Sequence, residues 1–82
     1  MPYTYILRSE LSGRYYIGSA VDLTSRLEDH NAGNTTSTKN SRPWKLVYSE
    51  EFANLSDARS RERQIKNWKS KKYMIKIFRL ES

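Results

Sequence analysis

The sequence predicts a small α/β domain of the α+β kind, a three-stranded antiparallel sheet flanked by helices in the order ββαβαα. Three observations predict it. Segments rich in β-branched and aromatic residues alternate with segments of helical spacing. A good capping residue precedes each expected helix. Finally, 82 residues without a cysteine are expected to form one domain, residues 1–82. A chain this short buries only around 60% of its unfolded surface, and no disulfide can supplement its core.

Tyr3 to Leu7 is β-branched and aromatic, which predicts a first strand. Ser12-Gly13 supplies a turn, and Tyr15 to Ser19 a second strand, so the two form a hairpin. Asp22 is the expected N-cap of a helix running to about Asn31, and Gly33 its stop. Residues 33–43 are polar and bounded by Gly33 and Pro43, which reads as a loop. Trp44 to Phe52 is the third strand. Asn54 or Ser56 caps a second helix that runs to about Trp68, and Ser70 caps a third from Lys71 to about Phe78.

Charge is unevenly spread. Residues 1–58 carry six Lys/Arg and seven Asp/Glu, a net of −1; residues 59–82 carry nine and two, a net of +7. So dense a basic block points to a polyanion, and Lys39, Lys66, Lys69, Lys71 and Lys72 are candidate phosphate contacts. A membrane surface fits less well, because the block has no broad stripe of bulky apolar residues. No apolar run approaches the roughly 20 residues of a membrane span, and Met1-Pro2-Tyr3 opens no basic-then-apolar leader. The expected compartment is the cytoplasm. With one histidine and no cysteine, any metal would be held mainly by oxygen, which suits magnesium or manganese.

The helices carry unusual residues beside their apolar stripes. Leu55, Ala58 and Ile65 should face the core, and Glu62 falls in the gap of that stripe. A carboxylate there is costly unless paired or metal-bound. A salt bridge to Arg59 or Lys66 and a metal site are equally good readings. Arg26 and His30 are four apart on the first helix, beside the stripe of Leu23 and Leu27. Together they could meet a phosphate. The plainer reading pairs Arg26 with Asp22 or Asp29 and leaves His30 at the surface near a helix C-terminus. Tyr3 and Tyr5 share one strand face, while Tyr15 and Tyr16 point to opposite faces. A phenol of pKa about 10 needs a nearby metal or arginine to act as a base.

Tyr3-Thr4-Tyr5, then Tyr16-Ile17-Gly18 eleven residues after Tyr5, then Arg26, His30 and a later helical Glu62, resemble the GIY-YIG endonuclease superfamily. The closest likeness is to its small stand-alone bacterial members. It extends over Arg42 to Tyr48 and Arg61 to Trp68, nearly the whole chain. The second half of the motif is intact; in the first, Tyr3 and Thr4 stand where Gly and Ile are usual. The superfamily includes homing and restriction nucleases and the N-terminal incision domain of the nucleotide-excision repair nuclease. The resemblance implies a divalent-metal-dependent endonuclease with a role in DNA repair or recombination. It implies that Glu62 ligates the cation, that Arg26 contacts the scissile phosphate, and that Tyr5 and Tyr16 are the motif tyrosines, one of them a general base. It also makes His30 an active-site histidine. Gly18, counted with the nucleic-acid contacts, leaves room beside the tyrosine.

The expected partner is nucleic acid, DNA ahead of RNA, with no membrane. A protein partner that supplies targeting fits a chain with no attached specificity domain. Two other functions compete: a catalytically weak DNA- or RNA-binding module using the same basic cleft, and a protein-interaction domain whose basic helix docks on an acidic partner.

Overall fold

A computed structural model describes residues 1–80. The elements are β1 (Tyr3–Ser9), β2 (Tyr15–Ala20), α1 (Leu23–Ala32), a 3₁₀ turn (Lys39–Ser41), β3 (Trp44–Glu51), α2 (Leu55–Asn67) and α3 (Lys71–Phe78). The three strands form one antiparallel sheet in the order β2-β1-β3. This is the predicted fold class and element order, with boundaries moved by a residue or two.

Local chemistry explains the boundaries. Asp22 accepts from the Ser25 N–H at 3.0 Å and starts α1, and Gly33, at φ 84°, ends it in the left-handed conformation. Asn54 accepts from the Asp57 N–H at 2.9 Å, so Asn54, not Ser56, caps α2. Ser70 does the same for α3 through the Tyr73 N–H at 3.1 Å. Gly13 turns the hairpin at φ 76°.

Alternation along β1 divides the core in two. Tyr5 and Leu7 pack with Ala20, Trp44, Leu23 and Leu27 on the side covered by α1. Ile6 packs with Ile65 and Met74 on the side covered by α2 and α3. The sheet is therefore the middle of three layers, and β2 is an edge strand between the helical layers. Among the described residues, no helix is long and apolar enough to cross a membrane.

Residues 33–43 hold more than a solvated loop. The 3₁₀ turn interrupts them, and Thr38 and Ser41 are buried. Polarity concealed this: the Thr38 hydroxyl meets His30 Nδ1, and the Ser41 carbonyl accepts from the Ser9 hydroxyl.

Candidate active site

The site begins at the centre of the sheet. Tyr5 on β1 is buried, and its partner across the ladder is Gly18 on β2. A β-carbon at Gly18 would lie 2.5 Å from the Tyr5 hydroxyl and 3.1 Å from the Tyr16 ring. Gly18 is thus a clearance that lets the phenol cross β2. It is itself buried, so the structure gives it no surface for contact with nucleic acid.

The Tyr5 hydroxyl meets His30 Nε2 at 3.1 Å, and His30 Nδ1 meets Thr38 Oγ1 at 2.8 Å. Thr38 donates to the Thr35 carbonyl at 3.3 Å. That leaves its oxygen to accept from Nδ1–H, so Nε2 accepts from the Tyr5 O–H. His30 is only 1% exposed, which corrects both readings of it as a surface group beside Arg26. Burial lowers its pKa, helped by the nearby Arg26 charge and opposed by Asp29. The shift favours the neutral imidazole, which meets the site through the Tyr5 hydroxyl and the Tyr16 ring.

Tyr16, half-buried on the same sheet face, stacks edge-on to His30 with ring centres 4.7 Å apart, and its ring lies 6.3 Å from those of Tyr5 and Trp44. Trp44 donates its Nε1–H to the Thr38 carbonyl at 2.8 Å, and Asn31 clasps the Trp44 backbone N–H and C=O at 2.6 and 3.1 Å. These bonds fix the shelf under His30.

Arg26 is exposed on α1 and pairs with neither Asp22 nor Asp29 among the described residues. It lines a groove with Ser19, Asp22, Asp29 and Arg59. Arg59 also lines the adjoining groove, with Glu62, Arg63 and Lys66. Arg26 and Glu62, from helices on opposite sides of the sheet, therefore open onto adjoining grooves around the β2 edge. Both charges act on the Tyr5 phenol. Burial raises its pKa most, Tyr16 adds to this, Arg26 pulls it down and Glu62 pushes it up. Among the protein's own groups, the desolvation of Tyr5 outweighs the pull of Arg26.

Glu62 sits at the rim of the α2 stripe, its side chain 22% exposed. Its Oε1 accepts from the Ser19 hydroxyl at 2.6 Å, and its Oε2 from Lys66 Nζ at 2.6 Å. The salt bridge goes to Lys66 and not to Arg59. The buried Thr4 hydroxyl donates to the Ala58 carbonyl at 2.6 Å, which pins α2 to β1 one turn before Glu62. Thr4, a departure from the family motif, thus has a packing role.

Lys66 lies in the last turn of α2, Lys69 in the turn that follows, and Lys71 and Lys72 at the start of α3, all exposed. Lys39 belongs to the 3₁₀ turn against α1, on the other side of the sheet. Sequence reasoning missed Ser19, Thr38 and Arg59 as parts of the site. Only Arg59 left a signal, as the first residue of the basic block.

A family model described as the GIY-YIG catalytic domain matches residues 1–74. A UPF0213 protein of Streptococcus pneumoniae is 38% identical over 68 residues, covering 82% of this chain and 68% of that protein. A UPF0213 protein of Staphylococcus aureus strain Mu3 is 38% identical over 71 residues, covering 85% of each chain. No solved structure matches significantly.

Proposed function

The chain belongs to the GIY-YIG catalytic-domain family, and from that premise we propose that it is a divalent-metal-dependent endonuclease hydrolysing phosphodiester bonds, in DNA ahead of RNA. The observation that carries the reading is the pair of adjoining grooves onto which Arg26 and Glu62 open, with the Tyr5 phenol inside the field of both.

The donor set fits magnesium or manganese. Among the described residues no group of three or more His, Cys, Asp and Glu converges. A single carboxylate is nonetheless enough for a hydrated cation that also binds substrate phosphate. Glu62 would hold it, with the Ser19 hydroxyl beside the carboxylate and the exposed Lys66 swinging aside. When bound, the cation neutralises phosphate charge and stabilises the leaving oxygen.

The chain's own groups do the rest. The Arg26 fork suits the non-bridging oxygens of the scissile phosphate. Tyr5, held protonated by burial and by His30, is unsuited to take a proton. Tyr16 is only half-buried and can reach a water at the cluster's edge, so Tyr16 is the general base.

Glu62→Gln tests this. Gln keeps the shape and removes the charge that the cation needs. Single-turnover cleavage with magnesium should vanish while binding persists. Undiminished cleavage at saturating magnesium would leave Glu62 as a salt-bridge residue and favour the non-catalytic binding module.

A further inference from the structure

On the far side of the Glu62–Lys66 pair, a third groove runs between β2 and the turn from α2 to α3. Its floor is apolar, built on Tyr15, Ile17 and Met74. Its rim carries Arg14, Lys66, Lys69 and Lys71, and among the described residues no acidic one lines it. Lys71 Nζ lies over the Tyr15 ring, 5.4 Å from its centre, so a cation and an aromatic surface meet within the groove. Lys69 holds φ at 52°, a conformation that glycine or asparagine adopts more readily. The turn needs that angle but not that charge.

A blunt duplex offers phosphates to such a rim but keeps its base faces stacked inside, so an apolar floor adds nothing to its binding. An unpaired strand offers both together: cations track its backbone, and an aromatic or apolar surface takes a base face. Lys66 joins the two regions, lining this groove while its ammonium sits 2.6 Å from Glu62. We propose that this groove binds an unpaired strand, so that the substrate is nucleic acid with a single-stranded segment beside the scissile phosphate. The proposal rests on the reading that the chain acts on nucleic acid.

The test is fluorescence anisotropy in EDTA with three labelled probes: a short single strand, its blunt duplex, and that duplex with an unpaired tail. The parent should bind the tailed duplex about tenfold or more tighter than the blunt one, the scale of stacking a base. Tyr15→Leu and Lys69→Gly should each erase most of that preference. Lys69→Gly should melt no lower than the parent, since glycine suits the backbone there, and this keeps the test decisive if Tyr15→Leu folds poorly. Lys72→Ala, outside the groove, should weaken all three probes in proportion and keep the preference. Equal binding of tailed and blunt duplex by the parent, or a preference that survives both groove variants, would overturn the proposal. The metal-free assay separates the two readings. A protein that prefers the tail yet never cleaves keeps the groove and loses the nuclease. One that cleaves blunt duplex without preference does the reverse.

Discussion

A phenol can take a proton only after losing its own, so what surrounds each tyrosine oxygen decides which can act. The Tyr5 oxygen is buried against His30 and raised in pKa by that burial, whereas Tyr16 is half-exposed. Tyr16→Phe should therefore lose about 10²–10⁴-fold in single-turnover rate. Tyr5→Phe should lose less, through a misplaced His30. Equal losses in both variants would reverse or void the assignment. Gly18→Ala is the steric probe of the same cluster. Its β-carbon would press on the Tyr5 hydroxyl at 2.5 Å, so it should cost roughly 1–3 kcal/mol by overpacking. Tyr5→Phe on that background should recover part of the loss in thermal melts. His30 adds a pH signature. Unfolded, it takes up a proton near its ordinary 6.5; folded, its pKa is lower. Its contribution to stability is present above 6.5 and declines as pH falls toward the folded value. Denaturant melts of His30→Gln should lack that part of the acid slope.

At the scale of elements, the sequence was legible wherever a feature is local. Asp22, Asn54 and Ser70 each cap a helix through an N–H three residues on, and Gly13 and Gly33 turn the chain within their own segments. Glu62 was found because it interrupts an apolar stripe, a pattern held within one helix. What stayed hidden is long-range: Ser19 meets Glu62 across 43 residues, and Thr38 reaches His30 from inside a polar segment with no periodicity. His30 was misread for the same reason, since the 3₁₀ segment that helps to bury it does not announce itself. Two variants probe these elements. Thr38→Val keeps the shape and leaves the buried Nδ1 without its partner. It should cost about 1–3 kcal/mol and loosen Tyr5, which amide exchange across β1 would reveal. Arg26→Ala, on the exposed face of α1, should change stability by no more than about 0.5 kcal/mol. Its cleavage barrier should rise by about 3 kcal/mol if it clamps the phosphate. A large fall in melting temperature with unchanged turnover would make Arg26 a structural residue.

For the whole molecule, charge sets how it meets a polyanion. Nine of its fifteen Lys/Arg lie in residues 59–82. Two of those nine, Arg61 and Lys66, are paired with Glu50 and Glu62 among the described residues, which leaves seven to displace counterions. At about 0.9 per phosphate contact on duplex DNA, seven cations bound the log–log salt slope at about six in magnitude. Those seven are spread along α2, the turn after it and α3, so one straight duplex does not touch every one of them. The expected slope is thus steep but well under the bound. Replacing Lys71 or Lys72 should each reduce it by about one, with no change in sequence preference, since phosphate contacts position without specifying. Filter binding from low to physiological salt would measure it. A flat affinity would remove the basic surface of α2 and α3 from the binding site. A slope above the bound would give the share of cations outside residues 59–82, Arg26, Arg14 and Lys39 among them, that also touch the substrate.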